Sequence, residues 1–542
     1  MSDVSKTLIF TLTACRVRTT VASQTTAMLM WLVLGVAAVC ARRHVDTSPH
    51  RDVVTTQGTV RGYLSPDGYA YLGVPYARPP TRDRFKAPDP PPRWDGIFEA
   101  THRVSCHHAT TGANCLVVNV FTPEHGTSLP VLVYIHAGGF QTGRGPHYPP
   151  SRILHKGIVV VTLNYRLGVR GFLCLGLPQA SGNAGLKDQV AALYWIQRNI
   201  ANFGGNPHDV TVYGTEAGAA SIQILLVSDI TEGLFQKVIM ESGSVLSPST
   251  LTYNPISKAL DAARKFGYED NEDRVKLLKF YQKISEKELS SLTEIFLPCV
   301  ENGSYYSNTL LEDDPKSLIM QGKFRQVPML ITYTNSDDSI NVDTFNTFPD
   351  NFDQLLPNNL NFESNKIRHR VAELVKEFYF ENNNQNLVQK FLKYSNDLFI
   401  GYPVVKSALL HGLKNTHPVF LMRLDNNHGG RENTSKHFQN IFDYIYNKNN
   451  NKLEKERIAN MLLKLWTNFI KLGDPTPLTT ELIPVIWQPV VPGEPGHRLD
   501  LATIRELVVG KTIAMTEPAS SQYLAFWDHV YKKFYKFYKD YD

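Results

Sequence analysis

The sequence predicts an α/β protein: a mostly parallel, doubly wound sheet clothed on both faces by helices. Three observations carry that expectation. Short, nearly unbroken apolar runs rich in β-branched residues read as buried strands, segments with helical apolar spacing lie between them, and the two kinds alternate strictly through the middle of the chain. Leu129 to Ile135 (LPVLVYI) and Gly157 to Leu163 (GIVVVTL) are the first buried strands. Leu186 to Phe203 is a helix, stopped by Gly204-Gly205. Asp209 to Tyr213 (DVTVY) is the next strand and Ala217 to Val227 the helix behind it. Lys237 to Met240, Val327 to Tyr333 and Pro418 to Leu424 supply further strands. Residues 255–325 and 350–415 are charged and helical in period, as expected of helices inserted over the top of the sheet, where they would form a pocket.

With 542 residues, 42% hydrophobic and 20% charged, the chain can bury a large core. A net charge of +5, carried by scattered rather than striped lysines and arginines, argues against nucleic acid as a partner. The segment Tyr531 to Lys539 mixes cations with aromatics; it reads as a C-terminal helix with a docked ring face and solvated lysines. The Asn-rich tracts at 382–384 and 447–451 read as surface loops, and the sequence holds no internal repeat.

Residues 1–45 are expected to be a leader and 46–542 one domain. Ala27 to Ala41 is apolar over 15 residues, short for a bilayer span, and ends in the small-residue pattern Val39-Cys40-Ala41, as a signal peptide does. Translation starting at Met28 or Met30 would fit that reading better, whereas Arg42 and Arg43 would suit a reversed signal anchor. No stable membrane span is expected after cleavage. The sequons at Asn302 and Asn433 fit a secreted, glycosylated chain. Of six cysteines, Cys15 and Cys40 fall in the leader, and Cys106 with Cys115 is the single disulfide expected. Cys174 and Cys299 are isolated and read as buried free thiols.

One motif carries chemistry. Gly214-Thr215-Glu216-Ala217-Gly218 has the form of a strand-to-helix elbow, G-x-S-x-G, which presents its third side chain on a strained backbone at the top of a sheet. Here that third residue is Glu216 instead of serine. Thr215 has a hydroxyl, but the second position of such a turn faces elsewhere.

The chain resembles the type-B carboxylesterase and cholinesterase family from about Asp52 to Tyr531. The resemblance rests on Tyr71-Leu72-Gly73-Val74-Pro75-Tyr76-Ala77, Cys115 to Pro123 (CLVVNVFTP), His136-Ala137-Gly138-Gly139-Phe140, Asn164-Tyr165-Arg166-Leu167-Gly168, Gly182 to Gln189 (GNAGLKDQ), Glu241-Ser242-Gly243-Ser244 and Ala525-Phe526-Trp527-Asp528. It implies the α/β-hydrolase fold and a serine-esterase site without cofactor or metal. By the same resemblance, the backbone amides of Gly138, Gly139 and Ala217 form the oxyanion hole, with Ala137 replacing the first glycine of the usual triplet. His437 is the base, and Asp338 the acid, with Asp337 as the alternative. Ser242 lies in a segment that the family keeps beside its active serine, so its implied role is structural. The Cys106–Cys115 segment encloses eight residues, too few for the long disulfide loop that carries the choline-binding tryptophan in cholinesterases, so acetylcholine is not expected as a ligand.

Glutamate cannot replace serine in this chemistry. Acyl transfer needs an oxygen that is neutral at rest and gives its proton to histidine during attack. A carboxylate near pH 7 has already lost that proton. The expectation is that Glu216 turns into its own oxyanion hole and pairs with His437, whose protonated form, flanked by Glu216 and Asp338, cannot act as a base. Ser339 and Phe438 stand where the family has glycines after the acid and the histidine, which agrees with relaxation of the whole site. The implied protein is secreted and non-catalytic, binding a hydrophobic small-molecule ester or a protein partner. The alternatives are an active ester hydrolase, or a hydrolase that uses Glu216 as a covalent nucleophile.

Overall fold

The computed structural model describes residues 49–106, 114–146, 150–269, 273–301, 309–334, 352–380, 387–425, 453–490, 501, 504–517 and 521–535. Its strands are β1 (His50–Val54), β2 (Thr59–Ser65), β3 (Gly68–Pro75), β4 (Ile97–Glu99), β5 (Val117–Thr122), β6 (Leu129–Ile135), β7 (Val159–Leu163), β8 (Gly205–Thr215), β9 (Lys237–Glu241), β10 (Met329–Thr334), β11 (Val419–Leu424), β12 (Glu506–Val509) and β13 (Ile513–Thr516). They form one sheet in the order β1-β2-β3-β5-β7-β6-β8-β9-β10-β11-β12-β13, with β4 beside β2. The centre, from β7 through β12, is parallel, and the two flanks close with antiparallel pairs.

The central strands are buried on both faces, and their alternation divides them between two cores. Val131, Val133 and Ile135 of β6 enter one, and Leu132 and Tyr134 enter the other. On the first face lies helix α1 (Ala184–Asn199), which buries Leu186, Val190, Leu193 and Ile196 at helical spacing. A 3-10 turn, Ile200–Phe203, follows it and stops at Gly204, whose φ of 88° suits glycine. On the opposite face α8, defined here as Leu453–Leu472, packs Leu462, Trp466 and Ile470. Between them in sequence come α2 (Ala217–Leu226), α3 (Pro255–Arg264), α4 (Arg274–Lys283), α5 (Asn365–Phe380), α6 (Leu387–Asn396) and α7 (Tyr402–Lys414). The two inserted regions are therefore helical as expected. Helix α9 (Ser521–Phe534) buries Trp527 and Tyr531 and leaves Lys532 and Lys533 exposed, which agrees with the docked-ring reading as far as Phe534; residues 536–539 of that segment lie outside the described residues.

The Cys106–Cys115 disulfide is present. The expectation of free thiols at Cys174 and Cys299 is overturned, because these residues form a second disulfide across 125 positions. Cys299 belongs to the first helical insertion, which brings its sulfur to Cys174 beside Gly182, where any Cβ would collide with Cys299 Sγ. Linear spacing does not reveal such a crossing. Among the described residues no helix is long and apolar enough to cross a membrane. The leader, both sequons and the Asn-rich tracts lie outside the described residues.

Candidate active site

Residue 216 follows the C-terminal end of β8, a strand inside the parallel array with β6 and β9 on either side, where the chain reverses into α2. The reversal is tight. A Cβ on Gly214 would strike the backbone of Gly218, and one on Gly218 would strike the Ile135 carbonyl, so only glycine fits at either position. Glu216 itself has φ 48° and ψ −111°, a conformation that costs a non-glycine residue on the order of 1–3 kcal/mol. Two hydrogen bonds hold it there. Its amide donates to the Glu241 carbonyl at 2.8 Å, and its carbonyl accepts from the Ala220 amide at 3.0 Å. Gly243 presses against the Glu216 backbone from β9's exit, too closely for any Cβ. Ser242, with φ 51°, gives its amide to the Thr332 carbonyl at 2.8 Å, so that segment buttresses the elbow.

The Glu216 side chain is exposed. Its Oε2 lies 3.4 Å from the Gly138 amide, which donates to it. Gly138 and Gly139 have φ 117° and 58°. The Gly138 carbonyl accepts from the Gln141 and Thr142 amides at 2.9 and 3.0 Å, which fixes the turn that carries these donors. Beneath the loop, His136 stacks on Tyr165 with ring centroids 4.4 Å apart. His136 Nδ1 donates to the Ala137 carbonyl at 2.7 Å, and Tyr165 donates its hydroxyl to the His136 carbonyl at 3.3 Å. Burial pushes the His136 imidazole down to about 4, so it is neutral near pH 7. Tyr165 is held far above its ordinary range by burial, with the negative charge of Glu216 adding to the effect.

Thr215 is buried, and its Oγ1 lies 2.9 Å from the Tyr134 hydroxyl. Tyr134 packs edge-on against Tyr213, which in turn donates to the Glu241 carboxylate, so the threonine hydroxyl faces the core behind the sheet. The geometry thus brings Glu216, Gly138 and Gly139 together at the strand tips, with Ala217 opening α2. His437, Asp338 and the alternative Asp337 lie outside the described residues; β10 and β11, which precede them, run parallel to β8. Sequence reasoning did not single out the His136–Tyr165 stack, although both residues stand inside quoted signatures.

Comparison with known proteins agrees with this architecture. The model of the carboxylesterase family matches residues 49–527. A juvenile hormone esterase from Heliothis virescens is 33% identical over 68% of this chain and 72% of its own length. Esterase E4 from Myzus persicae is 31% identical over 78% of this chain and 84% of its own. The solved structure of juvenile hormone esterase from Manduca sexta, with OTFP covalently attached, superposes with a TM-score of 0.76 at 25% identity, covering 89% of this chain and all of that one. The long ordered signatures, the α/β-hydrolase sheet and these matches make the chain a member of the carboxylesterase family.

Proposed function

We propose that this carboxylesterase-fold protein binds hydrophobic esters without hydrolysing them. The observation that carries this reading is Glu216 at the elbow, with its carboxylate beside the Gly138 amide on which an ester oxygen would otherwise develop charge. A carboxylate has no proton to pass to a histidine and attacks esters poorly. Loss of the serine nucleophile from such a site costs about 10⁶-fold in rate. The name juvenile hormone esterase, borne by two relatives, suggests a hydrophobic ester of that class as the first ligand to try. His437 and Asp338 are proposed to complete the site, His437 as the protonated partner of Glu216. The leader and two disulfides favour secretion, since disulfides persist in oxidising compartments.

The test pairs the natural protein with Glu216→Ser on short-chain aryl esters. The natural protein is expected to show no turnover above background. Turnover that persists through purification and disappears in Glu216→Ala would overturn the reading and favour a covalent carboxylate instead. Activity appearing only in Glu216→Ser would show that the remaining groups are still aligned.

A further inference from the structure

A cavity of about 620 Å³ lies between the segment Arg78–Arg84, the Cys106–Cys115 bridge, the loop Arg166–Arg170 and residues 282–294. Neither Glu216 nor the glycines Gly138 and Gly139 line it; it borders their loop only through Gln141 and Thr142. Its size falls within the range of small-molecule sites, roughly 300–1,000 Å³. We propose that this cavity binds an amphipathic organic anion, a carboxylate attached to an apolar chain, separately from any ester held at the elbow.

The charge distribution is the first ground. Arg78, Arg82, Arg84, Arg166 and Arg170 all face the cavity. Arg166 is neutralised in the wall by a two-pronged pair with the buried Asp188, at 2.7 and 2.6 Å. Arg84 and Arg170 share a single carboxylate, Glu286, at 2.9 and 2.6 Å, which leaves that trio positive. The other acidic lining residue, Glu294, is already paired with Lys265. Arg78 and Arg82 are exposed and have no ion pair with a described residue. Positive charge on the wall therefore exceeds the negative charge that balances it, and two guanidinium forks are available to a carboxylate, whose two oxygens suit them.

The second ground is the rest of the lining. Leu167, Val169, Leu289 and Leu292 form an apolar wall beside the arginines. A small inorganic anion would use only the arginine part of the cavity, whereas a carboxylate with an alkyl chain fills both, gaining on the order of 0.8 kcal/mol for each buried methylene.

The experiment titrates the whole purified protein with cis-parinaric acid by fluorescence and with decanoate by calorimetry, each beside its methyl ester. The acids are expected to bind saturably, and at least about tenfold more weakly to Arg78→Ala/Arg82→Ala or as salt is raised, whereas methyl-ester binding, which belongs to the elbow, should be unchanged by the arginine variant. Both arginines are exposed, so the double variant should keep its fold, which circular dichroism checks. Glu216→Ala should leave decanoate binding unchanged, which separates this site from the elbow. The proposal falls if neither acid binds, if the arginine variant binds the acids as the natural protein does, if it loses acid and ester binding alike, or if Glu216→Ala abolishes acid binding.

Discussion

The amide of Glu216 donates to the main-chain carbonyl of Glu241 at 2.8 Å, so the elbow is pinned to the neighbouring strand through the backbone and not through either carboxylate. That bond survives any substitution at position 216 that keeps a backbone N–H, whereas the φ of 48° is the residue's own burden. Glu216→Gly should therefore stabilise the fold by about 1 kcal/mol, while Glu216→Ala, which retains a Cβ, should gain much less. Urea unfolding of both variants measures the difference. Equal stabilities would mean that the elbow stores no strain relieved by glycine.

The glycines of the elbow make a stronger demand. Gly218→Ala drives a methyl group into the Ile135 carbonyl of the adjacent strand, in a part of the sheet that is fully buried. Overpacking of this kind costs roughly 1–3 kcal/mol. The same change at Gly139, where nothing stands within 4 Å of the added Cβ, meets only the penalty of its positive φ. Thermal unfolding should rank Gly218→Ala well below Gly139→Ala, and the reverse order would contradict the packing described here.

Much of this was legible in the chain because the informative residues are local. Leu129 to Ile135 reads as a buried strand and is β6 residue for residue, since a continuous apolar run has no polar face to offer solvent. The elbow is legible for the same reason, being five consecutive residues with forced spacing. The flank β1 to β4 is not, because its short strands such as Thr59–Ser65 mix polar and glycine positions and take their identity from their neighbours. The arginine-lined cavity was invisible too. Its walls come from segments separated by about 200 positions, and Glu286 meets Arg84 and Arg170 only once the helical insertion has folded back.

The Cys174–Cys299 bridge closes a far longer loop than Cys106–Cys115, with sequence separations of 125 and 9. Loop-closure entropy then assigns it the larger share of stability, about 4–5 kcal/mol against about 2–3 kcal/mol. Cys174→Ala/Cys299→Ala should unfold at markedly lower denaturant than Cys106→Ala/Cys115→Ala. Equal effects would indicate that strain or residual structure in the unfolded chain outweighs loop length.

Two buried histidines should make the fold acid-sensitive above the range where carboxylates titrate. His411 in α7 packs edge-on against Phe324 at 4.6 Å, and its Nε2 accepts from Gln223 Nε2 at 3.4 Å. Burial lowers it to about 3, and lowers His136 to about 4. Unfolded, both return to about 6.5. Because the unfolded chain then binds protons that the folded chain refuses, stability is complete above pH 6.5 and falls as the pH drops through that value, until the folded-state values are reached. At pH 5 each histidine should have removed about 2 kcal/mol. Comparing urea unfolding at pH 7 and pH 5 for the natural protein and His411→Gln isolates one of the two contributions. The variant starts less stable, since it loses packing against Phe324, yet its loss between the two pH values should be smaller by about 2 kcal/mol. An identical pH slope in both proteins would mean that His411 is protonated without penalty, and that water reaches it despite its burial.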